Sequence, residues 1–396
     1  MSGLATSTAD RVPVVVSARR TWIGTAGHGH RWRTETELAA AVLHAALADA
    51  RAAGATGDPD DVVLGSCTGP GGNVARVAAL AAGLGTGVPG LTVDRQCASG
   101  LAAVLVAAQQ VGTGDADLVL AGGAESASRA PLRAHRDRPD LPYARATFTP
   151  APWADPSMGA AADALARTAG VSRDRQEAYA VRSHARALAA QRAGAFDAET
   201  VTLSGGTRPP LRRDERARTL DAARLARLPA AFGPGGTVTA GTASPVSDGA
   251  AAVVVVPDGV RRALGVPGLR LVASATVGCD PAEPGRGPVP ATLRALARAG
   301  WDVESLAAVE VVEAFAAQVL AVTDALGLDP LGGDERVCAD GGALALGHPW
   351  GATGAVAVVR LFSRLVRSGA PAGTRGLATA AVGGGTGVAL LFEVVR

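Results

Sequence analysis

The N-terminal part of the chain alternates short apolar runs with alanine-rich segments that have helical spacing. The runs VPVVVSA (12–18), DVVLGS (61–66) and ADLVLAGG (116–123) predict strands, and the segments 37–53 and 100–111 predict helices between them. Strands that alternate with helices are typical of a parallel, layered sheet. The pattern therefore predicts an α/β fold.

The C-terminal part repeats this order of elements. LRLVASATV (269–277) and AAVEVV (307–312) predict strands, and GATGAVAVVRLF (351–362) resembles CASGLAAVLVAA (97–108) in its small residues and apolar spacing. A repeat of about half the chain length indicates two similar layered units, because a solenoid has a far shorter period. We therefore expect an internally duplicated chain.

Between the two halves, arginine-rich and proline-punctuated segments predict an inserted lobe. The run at 212–232 mixes charges of both signs, which favours a solvated helix face, and a surface for a phosphorylated ligand is the alternative. We divide the chain into an N-terminal half (1–125), the inserted loop lobe (126–240) and a C-terminal half (241–396). The first strand of the last segment is expected to complete the N-terminal half.

Composition and charge exclude several classes of protein. The 396 residues are 48% hydrophobic, enough for a globular fold, and 38 basic against 36 acidic residues leave a charge too even for nucleic-acid binding. Every basic residue is an arginine, which excludes Schiff-base chemistry on a lysine. No stretch of the roughly 18 residues that a membrane helix needs is apolar throughout, so no membrane partner is expected. Four scattered cysteines without a CxxC pair favour the reducing cytoplasm.

Cys97 is the first candidate for chemistry. LTVDRQCASG (91–100) predicts a strand, a sharp turn and a helix, which places the sulfur at a helix N-terminus where amides and dipole favour the thiolate. An inert buried cysteine is the alternative. Cys67, in GSCTG (65–69), fits less well, because a nucleophile elbow requires a helix that begins at the nucleophile.

His348 is the candidate base. It lies in GGALALGHPWGATG (341–354), just before the element that matches the Cys97 helix, so the duplication predicts a thiol and an imidazole in one cleft. A structural histidine is the alternative, and the histidine spacing fits no metal motif, so no metal is expected. The glycines at 383–385 follow an apolar strand and are compatible with an oxyanion hole or with a plain turn.

Taken together, these blocks resemble the thiolase family over nearly the whole chain. The resemblance rests on DRQCASG (94–100), GGAESASRAP (122–131), GTVTAGTASPVSDGAAAVVV (236–255), EAFAAQ (313–318), GGALALGHPWGATG and VGGGTGVALLFE (382–393). It implies a duplicated, five-layered αβαβα fold and an acyl-CoA or acyl-carrier thioester as substrate. It also implies that no separate cofactor is needed, and a homodimer or a dimer of dimers.

The family resemblance further implies roles for individual residues. Cys97 would be acylated, His348 would activate it, and the amides of Cys97 and Gly383 would hold the oxyanion. Five more residues would bind the acyl chain or coenzyme A: Ser244, Met158, Phe315, Arg216 and Arg218.

Two positions depart from the family pattern. Ala381 stands where the family has an acid/base cysteine, and Val312 stands where an asparagine holds a water in the second oxyanion hole. Neither side chain moves a proton or donates a hydrogen bond. We therefore expect acylation of Cys97 to survive, and ordinary thiolysis and Claisen condensation to be impaired.

Three other functions stay open at this point. The first is acyl transfer to an oxygen, nitrogen or sulfur acceptor, or a decarboxylative condensation, which needs no second base. The second is a catalytically silent subunit that binds acyl-CoA. The third is ordinary C-acyltransferase activity in which Cys338, Glu313 or a water replaces the missing acid.

Overall fold

The computed structural model describes residues 8–143, 145–204 and 209–396. Its strands are β1 (Pro13–Thr21), β2 (Gly24–Thr25), β3 (Asp61–Gly65), β4 (Leu91–Val93), β5 (Val119–Ser126), β6 (Arg133–His135), β7 (Arg138–Tyr143), β8 (Thr200–Val201), β9 (Ser247–Pro257), β10 (Gly268–Gly278), β11 (Ala308–Val311), β12 (Arg375–Val382) and β13 (Thr386–Val395). Its helices are α1 (Glu35–Ala52), α2 (Val74–Ala81), α3 (Ser99–Thr113), α4 (Met158–Thr168), α5 (Arg173–Arg192), α6 (Ala222–Leu225), α7 (Asp258–Leu264), α8 (Pro288–Ala299), α9 (Ala316–Ala325), α10 (Ala343–Leu346) and α11 (Trp350–Leu361).

The strand order shows the duplication directly. The first half has the order β4-β3-β5-β9-β1, the second has β11-β12-β13-β10, and a short antiparallel ladder joins β1 to β10. In each half two strands run parallel, β3 with β5 and β11 with β12, and the next two are antiparallel. A single parallel bridge from Val309 to Val337 occupies the place of β4 in the second half. The predicted α/β duplication is confirmed.

Helices separate and cover the two halves of the sheet in five layers. The outer layers are α1 with α2 on one side and α8 with α9 on the other, and α3 packs against α11 between the two halves. The central helices approach closely because they meet at glycines. A Cβ atom on Gly100 would lie 2.5 Å from the Ala355 amide nitrogen, and one on Gly354 would lie 2.6 Å from that of Leu101. Any larger side chain there would push the two layers apart.

The chain leaves the first half of the sheet after β5, pairs briefly with β1 as the two-residue strand β8, and returns fully as β9. Between β5 and β9 lie the β6–β7 hairpin and the helices α4, α5 and α6. Strand β9 pairs with both β1 and β5, and all eleven of its residues are buried. The division at 125 and 240 stays a prediction, and parts of the first two segments (1–7, 144 and 205–208) lie outside the described residues.

A buried ion-pair cluster fastens the lobe to the sheet and to the central helix. Arg20 of β1 bonds to Glu199 at 2.7 Å and to Asp214 at 2.9 and 3.0 Å, and Arg360 of α11 also pairs with Glu199. The helix expected at 212–232 is mostly wrong, whereas most of this run is exposed to solvent as expected. Only α6 is helical there, and Asp214 is buried because it neutralises Arg20.

Among the described residues, no helix is long and apolar enough to cross a bilayer.

Candidate active site

Cys97 lies in the tight turn that connects β4 to α3. The turn Gln96–Ala98 is a 3₁₀ helix that leads directly into α3, and Gln96 has a left-handed backbone with φ of 46°. Such a conformation costs a non-glycine residue about 1–2 kcal/mol, so the surroundings must hold it. Ser99 does so, because its Oγ accepts from the Arg95 amide at 2.7 Å and donates to the Gln96 carbonyl at 2.7 Å. The predicted strand, sharp turn and helix are all present.

A cavity of about 350 Å³ opens beside the sulfur. Its walls come from both halves of the sheet and from the lobe, because α4 and the segment at 243–246 close one side of it. Six of the predicted site residues line it: Cys97, His348, Gly383, Ser244, Met158 and Phe315. Residues far apart in sequence thus face one space.

Burial raises the pKa of the Cys97 thiol to about 12, and Glu125 and Asp94 add to the rise. The amides of Cys97 and Gly383 lie close enough to the sulfur to lower its pKa in part. The expectation that the helix terminus favours the thiolate is therefore wrong, because loss of hydration outweighs the amides. The sulfur rests as a thiol, and a base must take its proton during attack.

His348 has the tautomer that this role requires. Its Nδ1 lies 2.8 Å from Thr353 Oγ1, which itself donates to the Pro349 carbonyl at 2.8 Å. The hydroxyl has one proton and the carbonyl can only accept, so both contacts are hydrogen bonds only if Nδ1 carries the imidazole proton. Nε2 is then unprotonated, and it has no hydrogen-bond partner among the described residues. Burial lowers the pKa of His348 to about 4, so the ring is neutral at neutral pH.

The thiol and the imidazole line the same cavity without a hydrogen bond between them. Because Nε2 has no partner in the described part of the chain, the Cys97 proton is not yet engaged. Catalytic contacts are commonly loose in a site without substrate and tighten in the complex. Proton transfer therefore needs a closer approach or a bridging water once the thioester binds.

Gly383 shapes the cavity through its missing side chain. A Cβ atom there would lie 2.5 Å from Phe148 Cε2, and the next two glycines have φ of 88° and 81°. The turn between β12 and β13 is therefore closed to side chains, which leaves the backbone amide of Gly383 near the sulfur. Two amides beside a nucleophile are the arrangement of an oxyanion hole.

The structure does not bring Cys338 or Glu313 into the cavity. Glu313 accepts bonds from Tyr179 Oη at 2.8 Å, from Ser183 Oγ at 2.7 Å and from the Leu344 amide at 3.1 Å. The Cys338 thiol is buried and donates to the Val311 carbonyl at 3.4 Å. Both groups are engaged elsewhere, so neither takes the place of a second acid in the cavity.

Arg216 and Arg218 line a different pocket, of about 550 Å³, together with Arg212, Arg213 and His28. The Nε atom of Arg216 is buried and has no hydrogen-bond partner among the residues described. The pocket approaches the cavity at one point, because Ala26, between the pocket residues Thr25 and His28, donates at 3.0 Å to the carbonyl of Val246, a cavity residue. The two predicted arginines are therefore neighbours of the thiol site and not part of its wall.

Sequence reasoning missed three residues that matter here. Thr353 sets the tautomer of His348, Gln318 lines the cavity, and Arg145 lines it from the lobe. Thr353 follows His348 by five residues and lies in the first turn of α11, which is a signal that the sequence offered. No cluster of three or more metal-ligating side chains occurs in the described ranges.

Comparison with known proteins now decides the family. Residues 13–259 match the family model described as Thiolase, N-terminal domain, and residues 267–394 match Thiolase, C-terminal domain. The chain belongs to the thiolase family. The predicted thiolase-like fold and the prediction of an acyltransferase are therefore confirmed, and thiolases use coenzyme A thioesters without a resident cofactor.

The relatives of this thiolase cover nearly its whole length. It is 41% identical to the acetyl-CoA acetyltransferase of Pseudomonas aeruginosa over 95% of this chain and 98% of the relative. It is 40% identical to the probable acetyl-CoA acetyltransferase of Escherichia coli over 96% and 98%. The crystal structure of the Bacillus anthracis acetyl-CoA acetyltransferase superposes with a TM-score of 0.89 at 36% identity and covers 98% of this chain and 100% of that one.

Proposed function

We propose that this thiolase accepts an acyl group from an acyl-CoA onto Cys97. The observation that carries the proposal is that the Cys97 thiol, the unpartnered Nε2 of His348 and the Gly383 turn line one cavity. A nucleophile, a base in the right tautomer and two amide donors are the parts that acyl transfer needs. The curated relatives are named acetyl-CoA acetyltransferases, which supports a short acyl-CoA as the donor.

The first half-reaction follows from these groups. Nε2 of His348 takes the thiol proton while the Cys97 sulfur attacks the thioester carbonyl, and the carbonyl oxygen becomes an oxyanion. The amides of Cys97 and Gly383 stabilise that charge, typically by about 3–4 kcal/mol per donor. The carbon–sulfur bond to coenzyme A then breaks, and the imidazolium returns its proton to the leaving thiolate. An S-acyl cysteine and free coenzyme A result.

Coenzyme A would extend from the pocket lined by Arg216 and Arg218 into the cavity beside Cys97. The guanidinium groups of Arg216 and Arg218 suit the phosphates of the nucleotide, and Ser244, Met158 and Phe315 would contact the pantetheine arm or the acyl chain. We retain the homodimer or dimer of dimers and the cytoplasmic location as predictions from the resemblance. Sedimentation velocity would test the assembly.

We further infer that carbon–carbon bond chemistry is impaired. Ala381 faces the cavity, and the ionisable side chains on the described part of its wall are Cys97, His348 and Arg145. After acylation no second group remains to move the α-proton, and general acid–base help is commonly worth about 10²–10⁴ in rate. Transfer to an oxygen, nitrogen or sulfur acceptor, or a decarboxylative condensation, avoids this step.

Mass spectrometry of the intact protein tests the acylation. Mixing the protein with acetyl-, butyryl- and hexanoyl-CoA should add the mass of one acyl group with at least one donor. Cys97→Ala should abolish the gain, and Cys67→Ala, a change of the neighbouring sulfur, should leave it in place. No gain with any donor would contradict the proposal and favour a silent subunit that binds acyl-CoA.

Ala381→Cys tests the loss of the second acid. The new thiol would face the cavity, so we expect cleavage of acetoacetyl-CoA by coenzyme A to rise at least about tenfold. Ala380→Cys is the matched control, because neighbouring residues of a strand point to opposite faces. Fast cleavage by the unmodified protein would show that this thiolase does not need the missing cysteine.

A further inference from the structure

Glu125, near the end of β5, is a fully buried side chain that binds two segments next to the candidate active site. Its Oε2 accepts from the Gly351 amide at 2.9 Å and from the Cys67 amide at 3.3 Å. Its Oε1 accepts from the Thr68 amide at 3.0 Å and from the Thr68 hydroxyl. Three of the four donors are backbone amides, so these bonds hold segments of the chain in place.

The first segment is the N-terminus of α11, which follows His348. Gly351 is the second residue of this helix, and Pro349, which precedes the helix, has no side-chain acceptor for the free amides of the first turn. Glu125 supplies the acceptor from another part of the chain. A Cβ atom on Gly351 would lie 2.7 Å from the Ala124 carbonyl oxygen, so the helix also packs closely against β5. The end of β5 therefore determines where α11 begins.

The second segment, the loop after β3, lies against the turn that carries Cys97. Ser99 and Gly100 begin α3 directly after that turn. A Cβ atom on Gly65, the last residue of β3, would lie 2.5 Å from the Ser99 carbonyl carbon and 2.7 Å from the Gly100 amide nitrogen. Loop and turn are therefore in direct contact, and Glu125 joins both to α11.

The charge of Glu125 opposes the nucleophile, so charge alone does not explain the carboxylate. After burial, which has the larger effect, Glu125 raises the pKa of the Cys97 thiol. Burial also raises the pKa of the neighbouring Glu35 to about 8, and Glu125 adds to that rise. Glu35 is therefore neutral at pH 7. The three amides that bind Glu125 can only donate, so they favour its ionised form.

We propose that Glu125 is a positioning residue that sets the distance between the Cys97 sulfur and the His348 imidazole through its bonds to backbone amides. The inference rests on the proposed acylation of Cys97. The two reacting groups come from different halves of the chain, so their separation depends on contacts between those halves. A misplacement of about 1 Å can cost about 10² in rate. Loss of these bonds should therefore slow acylation and leave the binding of acyl-CoA unchanged.

Glu125→Gln tests the proposal through two rates that should change in opposite directions. An amide has one oxygen instead of two, so at least one backbone amide loses its acceptor. The acylation rate constant at saturating acyl-CoA should fall about tenfold or more, and the half-saturating concentration should stay within about twofold. Loss of the charge should lower the pKa of Cys97. The thiol should then react faster with methyl methanethiosulfonate, a small uncharged reagent for thiolates, as measured by peptide mass spectrometry.

Glu35→Gln is the matched control. It replaces a neighbouring buried carboxyl that is already neutral at pH 7, so it changes no charge there. Both rates should stay within about twofold of those of the unmodified protein. Glu125→Asp separates reach from charge, because it keeps the charge and shortens the side chain. Its acylation should be slow and its thiol reactivity unchanged.

Thr68→Val is a milder variant that keeps the test usable if Glu125→Gln does not fold. It removes one of the four bonds to Glu125 and keeps the shape of the side chain. The saturating acylation rate should fall about threefold, with thiol reactivity unchanged. An unchanged acylation rate in both Thr68→Val and Glu125→Asp would overturn the proposal. So would faster acylation of Glu125→Gln, because Glu125 would then act only through its charge.

Crystal structures of the unmodified and Glu125→Gln proteins separate this proposal from the proposed function. We expect the N-terminus of α11 to shift by at least about 0.5 Å relative to the Cys97 turn. If the helix shifts and no donor acylates the unmodified protein, the proposed function is wrong and the positioning by Glu125 stands. If both proteins are acylated at the same rate and the helix does not shift, the assignment of Glu125 is wrong and the function stands. Slower acylation without a shift would also overturn the assignment.

Discussion

The ion-pair cluster around Arg20 and the His348 imidazole in the cavity beside Cys97 are buried to a similar degree and bonded in opposite ways. In the cluster, each guanidinium faces a carboxylate, Arg20 with Glu199 and Asp214, and Arg360 with Glu199. In the cavity, Nε2 of His348 has no partner in the described ranges. Burial therefore does not distinguish a structural polar group from a working one. What differs here is the pairing of charge, because the guanidinium groups of the cluster face carboxylates and the His348 imidazole faces none.

Bonding also decides which groups carry charge. Burial alone would raise the pKa of Glu199, but Arg360 and Arg20 hold it below its ordinary value, so the carboxylate is ionised. His348 and Cys97 have no such partner. Burial lowers the pKa of His348 and raises the pKa of Cys97, so both side chains are neutral. The cluster is ionised and the resting cavity is neutral, as the balance of desolvation and pairing requires.

Replacing His348, the base whose Nε2 has no partner in the described residues, should have the largest effect, and the quantity that it lowers is the rate of Cys97 acylation. His348→Asn keeps an amide near Thr353 and removes Nε2, so we expect the rate of Cys97 acylation to fall about 10²–10⁴-fold. The thermal midpoint should stay close to that of the unmodified protein, because Nε2 makes no protein hydrogen bond in the described structure. Time-resolved mass spectrometry measures the rate, and the exposed His44→Asn is the control. An unchanged rate would mean that His348 is structural.

Breaking the cluster should affect stability instead. Glu199→Gln leaves Arg20 and Arg360 partly uncompensated in the interior, and we expect a loss of about 3–5 kcal/mol in the free energy of unfolding. Asp58→Asn, which breaks an exposed pair with Arg51, should cost less than about 1 kcal/mol. Urea unfolding measures both. Equal losses in the free energy of unfolding would show that the buried cluster contributes no more to stability than an exposed ion pair.

The smallest expected effect is that of pH. With a pKa of about 4, His348 is already the neutral base at pH 5.5. The acylation rate should therefore change less than about twofold between pH 5.5 and 7.5 and should fall only as the pH drops toward 4. An imidazole with an ordinary pKa near 6.5 would lose about tenfold over the same interval. A drop of that size would show that substrate binding restores hydration or charge around His348.

The sequence predicted the repeat and the local settings of the site. Strands and helices at matching positions predicted the duplicated α/β fold, because the periodicity of apolar residues follows directly from burying one face of an element. It also predicted the turn at Cys97, since small residues between a strand and a helix are a local signal. The ionisation of that sulfur was not predictable, because its loss of hydration depends on residues from distant segments.

What the sequence determined by itself is the order of elements, the chemical types at Cys97 and His348, and the missing acid at Ala381. The tertiary structure decided which of these groups share a cavity and which hydrogen bonds they make. Arg216 and Arg218 lie in a neighbouring pocket, and Thr353 sets the tautomer of His348. Partners of this kind are set by contacts between residues far apart in the chain, which a one-dimensional pattern does not record.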